Sequence, residues 1–400
     1  MITLSVSIDG PIVGDVGQPI RAHVRTANGE NSRPFKYSIS SGELAPGLTL
    51  NADTGEITGT PTAGGLFSAT IFVQGSEKAT GTTIYESTIY SSKRIAATQP
   101  NLNLSALFSQ TEWQSATPKR VIVSSGATIY SINTSKPALY SGSGWNGTLT
   151  LQIENGAEIQ GAGGTPIENN VGGNGGDAIS TQQGGLLIIN DGAIRAGGGA
   201  GGSGGKGADG FDANNREPAI GTRISNAEQT RTGCYSFYSD GSARWYTEIY
   251  WNGSRVYSTS GTPSDAHFQF NTGIYTYNCD KSNILDLSFG FIGQYMYATY
   301  RTANNATTVG GTPGSGGLGQ GYNQSATAGT AGNAGSTQSA GSGGQGGAGG
   351  AWGISGQPGH DGGASNVSSN FPAQGFGGGQ PGYAIRGTVN YTGSGIKQGK

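Results

Sequence analysis

The sequence predicts a mostly β protein in three parts. A small antiparallel sandwich comes first, then a repeat-built β domain with a bundle of glycine-edged helices, and an antiparallel β-sandwich module is inserted in that domain. Three observations predict this. Glycine supplies 75 of 400 residues while charged residues make up only 12%, about half the usual share. A nine-residue strand–glycine–strand frame recurs, and glycine keeps a strict three-residue period over long tracts.

Composition also excludes function classes. A net charge of −2 leaves no electrostatic footprint for nucleic acid. No run reaches 18 apolar residues, so no membrane-spanning helix is expected. The opening "MITLSVSIDG" has neither a basic nor an apolar leader region, so no secretory signal is expected and synthesis is assigned to a cytosol. Cys234 and Cys279 are the only cysteines. Without a nearby His cluster they make no zinc site, and they are either two buried thiols or a disulfide formed after release.

Residues 1–76 are the first unit. "LAPGLTLNADTGEITGTPTAGGLFSATIFVQG" reads as short strands cut by turns at Ala45–Gly47, Asn51–Gly55 and Gly59–Pro61, ending in a strand from Leu66 to Val73. The order of proline-glycine-leucine, asparagine, threonine-glycine and glycine-threonine-proline closely resembles the immunoglobulin-like modules of surface and phage proteins. That resemblance implies a spacer or docking unit. Residues 77–117 connect, with one short helix in "NLNLSALFSQTEW". Its expected cap is Asn103 or Ser105, Leu104, Leu107 and Phe108 share a face, and Trp113 packs beneath.

The repeat follows, in a glycine-rich domain assigned to 118–215 and 303–400. "VIVSSGATI" (121–129) and "LQIENGAEI" (151–159) place apolar residues five and three before a glycine and Ile three after it. "LIINDGAI" (187–194) brings the last Ile one place early, and "TVNYTGSGI" (388–396) is a weaker fourth copy. Each copy reads as a strand, a tight turn and a return strand. Together they suggest a stacked or wound β architecture.

Residues 216–302 interrupt this domain and hold 17 of the chain's 35 aromatics. Asp240-Gly241 and Asn252-Gly253 are strong hairpin signals. "HFQFN", "IYTYNC", "LDLSFGFI" and "YMYATYR" alternate with period two. An inserted antiparallel sandwich is expected. Trp245, Tyr246, Tyr250, Trp251 and Tyr257 either fill its core or anchor a partner, a role that suits large rigid rings with polar tips.

The glycine period is the least ordinary feature. Gly198, Gly201, Gly204, Gly207 and Gly210 keep it. So does 329–362 with one miss at Gln338, through Gly341, Gly344, Gly347, Gly350, Gly353, Gly356, Gly359 and Gly362. Three residues per turn fits the polyproline II-type helix. Collagen would need abundant proline, and 329–364 holds only Pro358. A flexible linker would have no reason to keep a period. There remains a bundle of polyglycine II-type helices, in which glycine edges let backbones meet and hydrogen bond across helices. Extended, 341–364 would span about 74 Å at about 3.1 Å per residue. A fold-back is therefore expected within it, with Trp352 and Pro358 as the expected disturbances.

Such bundles resemble the distal, receptor-recognising adhesins on tail fibres of T-even-type phages. The stretches "NLNLSALFSQTEW", "PKRVIVSSGATIY", "GWNGTLTLQIENGAEIQGAGG" and "LLIINDGAIRAGGGAGGSGGKG" also resemble glycine-rich tail fibre and tail tip proteins of other tailed phages. The resemblance covers about 100–210 and 310–400. It implies a virion protein made in the host cytoplasm. Its implied partners are other tail or fibre subunits and a host outer-membrane protein or surface glycan, with a homotrimer as one option. In that family the contacts come from segments between glycine runs. The expected contact segment is therefore 216–302, with Tyr238, Asp240, Arg244, Trp251, Asn252, Arg255 and Tyr257 as candidates.

No catalytic, metal or cofactor site is expected. His23 and His360 stand apart from any evident nucleophile, and His267, which could meet Asp265 or Asp280, is read as a solvated surface residue. Lys206 in "GGSGGKG" lacks the glycine and the Ser or Thr that a phosphate loop requires. A purely structural tip protein is one alternative. A glycan depolymerase is the other; it would need a facing pair among Glu248, Asp265, Asp280 and Asp286.

Overall fold

A computed structural model describes residues 2–211, 216–223, 229–237, 243–251, 254–260, 267–271, 275–280, 297–303 and 307–400. The protein is mostly β.

The N-terminal domain is a sandwich of two sheets. One orders the strands 5–9, 20–27, 56–59 and 48–50; the other pairs 36–42, 65–74 and Thr80–Ile95, with 13–15 beside the last. Ile57, Ile71, Val73, Val24 and Ile89 close the core between them. The turn chemistry follows the sequence. Asn51 Oδ1 accepts the N–H groups of Asp53 and Thr54, an Asx turn. Gly55 then takes φ +75°, a left-handed value that favours glycine. The expected boundary at 76 falls inside this domain, because Gly65–Gln74 pairs along its length with Thr80–Ile89.

The strand Thr80–Ile95 does not stop at the sandwich. Its last residues, Ser91–Ile95, pair in parallel with Lys119–Val123, the first complete rung of a wound parallel β-helix. Three parallel sheets line this solenoid. The first stacks 91–95, 119–123, 149–153, 186–190 and 389–392. The second stacks 99–100, 128–130, 158–160, 193–195 and 396–398. The third stacks 102–103, 139–140, 179–180 and 385–386. The four sequence copies are four rungs. Their two strands do not pair with each other as a return hairpin would; each pairs with its counterpart in the next rung. Val121, Leu151 and Ile188 stack in one row and Ile129, Ile159 and Ile194 in another, all fully buried. Each such side chain contributes about 1.5–3 kcal/mol.

The third copy departs from the frame read off its glycine. Leu186, Ile188 and Asn190 point inward, while Leu187 and Ile189 are half-buried. Its corner, 191–192, is two residues shorter than 124–127 and 154–157. Asn190 makes this possible: its Oδ1 accepts Gly192 N–H, and its Nδ2 donates to Tyr391 Oη and to Ile396 O.

Two corners of the solenoid change in opposite directions. From third to first sheet the connections shrink: 104–118, 141–148, 181–185, 387–388. The first of these carries a 3₁₀ turn at Leu104–Leu107, capped by Asn103, and a helix at Gln110–Gln114, capped by Ser109. Trp113 packs there against Phe108 and Trp145. From second to third sheet the connections grow: Asn101 alone, then 131–138, 161–178 and 196–384. The glycine-rich tracts therefore all emerge from one corner.

Candidate functional site

Eight extended threefold helices build the bundle. They are PG1 (161–165), PG2 (172–176), PG3 (196–210), PG4 (309–321), PG5 (327–335), PG6 (341–351), PG7 (354–363) and PG8 (372–382). PG3 runs straight out of the rung built by the third copy and is the axis. Its backbone bonds six neighbours, one bond every third residue. Gly198, Gly201, Gly204 and Gly207 N–H donate to Gln320, Gly317, Gly314 and Gly311 O of PG4. Gly199, Gly202 and Gly205 donate to Ile354, Gln357 and His360 O of PG7. PG6 and PG8 donate to PG3 carbonyls, while PG1 and PG2 meet it near its base. The six also bond to one another in a closed ring: PG1–PG4, PG4–PG6, PG6–PG7, PG7–PG8, PG8–PG2 and PG2–PG1. PG5 lies outside, against PG4 and PG6.

This geometry explains the glycine. A Cβ on Gly201 would sit 1.9 Å from Gly347 O, on Gly204 2.0 Å from Gly344 O, and on Gly198 2.1 Å from Gly350 O. Facing glycines Gly341, Gly344, Gly347, Gly356, Gly359 and Gly362 are equally crowded by carbonyls. Backbones occupy the space that side chains fill in an ordinary core.

Breaks in the period are turns. Gln338 lies in the turn at the far end between PG5 and PG6. Trp352 and Gly353 form the turn at the solenoid end between PG6 and PG7, where Gly353 takes φ +65°. Gly353 thus serves the turn rather than a helix edge. Pro358 does not disturb the tract. It lies inside PG7, exposed, with Gln357 and Gly359 both bonded across the lattice, because its fixed φ suits this helix.

The two ends of the bundle differ. The near end rests on the solenoid, with Tyr322 stacked on Tyr130 at 3.7 Å between ring centroids. The far end carries the turn 336–340, the loop 364–371 and the neck of the long insertion. At the neck Gly210–Phe211 pairs antiparallel with Thr307–Thr308. Asp209 Oδ1 accepts Gly310 N–H at 2.8 Å and Lys206 Nζ at 3.0 Å. The Gly310 N–H, with Lys206 beside it, holds the Asp209 carboxyl below its usual pKa. Phe371 is 84% exposed at this end.

The insertion contains two antiparallel sheets. One orders 216–223, 297–303, 275–280 and 267–271; the other orders 229–237, 243–251 and 254–260. Trp251 pairs with Ser254 and Phe237 with Ala243, while the expected hairpin turns Asn252-Gly253 and Asp240-Gly241 lie outside the described residues. Cys234 lies in the three-stranded sheet and Cys279 in the four-stranded one. Of the candidate contact residues, Arg244, Trp251, Arg255 and Tyr257 lie on adjacent strands. Tyr238, Asp240 and Asn252 lie outside the described residues, as do Asp265, Asp286 and "LDLSFGFI". Glu248 and Asp280 fall in strands of different sheets.

Among the described residues no group of three His, Cys, Asp or Glu side chains could hold a metal ion, and no helix is long and apolar enough to cross a membrane. His23 lies in strand 20–27 and His360 in PG7. Lys206 pairs with Asp209.

Comparison with known proteins adds sequence likeness. Residues 88–267 match the family model described as phage tail fibre adhesin Gp38, and residues 3–90 match that described as "Putative Ig domain". No curated protein matches. Among solved structures, the gp37–gp38 adhesin tip complex of the bacteriophage S16 long tail fibre is 17% identical, over 78% of this chain and 83% of that one, with a TM-score of 0.32. A Bacteroides fragilis protein described as a "putative alpha-galactosidase" is 15% identical over 37% of each chain, with a TM-score of 0.17. Likenesses this low carry no argument about this chain. The sequence matches do: the chain resembles the phage tail fibre adhesins of the Gp38 family over 88–267 and immunoglobulin-like domains over 3–90.

Proposed function

We infer that the chain is a phage tail fibre or tail tip adhesin that recognises the host surface during adsorption, and that it acts by binding rather than by catalysis. One observation carries the reading. A lattice bonded through its backbones holds an aromatic-rich insertion at the end opposite the solenoid and its N-terminal sandwich. Contact falls to residues 216–302, an aromatic-rich segment of the kind that supplies rigid anchors at interfaces. The receptor is an outer-membrane protein or a surface glycan. The N-terminal end faces other tail fibre subunits, and the chain resides in the virion.

The purified chain tests this directly by competing with the phage. Preincubating host cells with saturating chain should slow adsorption of the parent phage, and host polysaccharide incubated with the chain should release no reducing ends. Undiminished adsorption at saturation would overturn the binding reading; release of reducing sugar would overturn the non-enzymatic one.

A further inference from the structure

Loop 364–371 joins PG7 to PG8 at the far end, and two of its asparagines reach the neck of the insertion. Asn366 is exposed and takes no part in either hydrophobic core, yet both halves of its amide are used. Its Oδ1 accepts Phe211 N–H at 2.9 Å and its Nδ2 donates to Phe211 O at 2.5 Å. Its own backbone N–H donates to Ser339 O in the neighbouring turn. Asn370 Nδ2 donates to Asp209 O at 2.7 Å. Phe211 is the last described residue before the insertion, and it pairs with Thr307 on the returning strand. Asn366 thus stands where a third strand would. On the other side, Asp209 holds Gly310 just after the return.

From this geometry we propose that Asn366 and Asn370 are positioning residues, a clamp that fixes the direction in which the bundle presents the insertion. The proposal rests on the receptor-binding reading above. Among the described residues the neck ladder next to the bundle spans two pairs, and isolated two-stranded pairings are marginal in water. The clamp replaces solvent around Phe211 and Asp209 with partners carried by the rigid lattice. A segment held in one orientation loses less freedom on binding than a tethered one. Losing the clamp should therefore weaken binding without unfolding the bundle.

The full chain carrying Asn366→Ala, and separately Asn370→Ala, would be used in the adsorption competition. Each should need at least about tenfold more protein to reach half-blocking, the factor equivalent to about 1.4 kcal/mol, with an unchanged thermal midpoint. Rescue separates positioning from general damage. With its polar groups turned to Asn366, Phe211 meets Thr307 as the pair without mutual bonds, whose Cα atoms lie about 4.5 Å apart, within disulfide reach. Adding Phe211→Cys and Thr307→Cys to Asn366→Ala should restore blocking once oxidised. Equal blocking by Asn366→Ala and the unmodified chain would overturn the clamp alone, and so would failure of the oxidised variant to recover. If the unmodified chain itself does not block, the receptor-binding reading falls and the clamp falls with it.

Discussion

At the scale of single residues, neighbouring glycines in one helix have opposite surroundings. A Cβ on Gly378 would sit 2.0 Å from Gly356 O, whereas a Cβ on Gly377 would meet nothing within 4 Å. Gly378→Ala should lower the thermal midpoint, by a loss of roughly 2–4 kcal/mol if the lattice cannot part. Gly377→Ala should be neutral, or stabilise by up to about 1 kcal/mol through the unfolded chain. Ala351, exposed, should accept serine silently, while Gly350→Val should unfold the bundle, since its Cβ would lie 2.2 Å from Ile354 O. Parallel melting curves check all four, and equal effects at 377 and 378 would refute backbone packing. Asp209 gives a pH prediction. Its carboxyl pKa is depressed, so its bond to Gly310 contributes above the ordinary value of 3.8 and is lost as pH falls through the lower folded value. Hydrogen exchange at Gly310, corrected for intrinsic rate, should stay protected at pH 6 and lose protection only on strong acidification.

Between elements, the joint of sandwich and solenoid is a shared strand reinforced by a largely buried ion pair. Asp15 of the sandwich binds Arg120 of the first complete rung, Ser92 joins it, and the guanidinium lies over Tyr90. Arg120→Met should cost about 2 kcal/mol in urea denaturation, between the values for exposed and buried pairs. Much at this scale was legible. The turn residues Asn51 and Gly55 announced the sandwich, and the glycine-centred copies announced the rungs. Pairing direction was not legible, because a strand–turn–strand frame suits a hairpin and a solenoid corner equally. Nor was the third copy's inward face, since Asn190 replaces an apolar residue and shortens the corner through its own hydrogen bonds. The continuous strand Thr80–Ile95 was hidden for a related reason: its buried face mixes Ser87 with Tyr85 and Ile89, its outer face carries Ile84, and no residue marks a boundary.

For the molecule as a whole, the period revealed the bundle but not its plan. Glycine spacing says that backbones meet; it does not say that PG3 is the axis or that six helices close around it. Nor does it point to Asn366, which resembles any loop asparagine until the fold brings Phe211 beside it. The ring closes within one chain, so the lattice needs no second copy. The proposed function divides the labour: glycine-rich helices would supply rigidity, and the insertion at the far end would supply contact. Replacing 212–306 by a short glycine-serine link tests that division most directly. The account predicts an unchanged melting transition for the bundle and loss of both cell binding and adsorption blocking; a shortened chain that still binds host cells as the full chain does would contradict it.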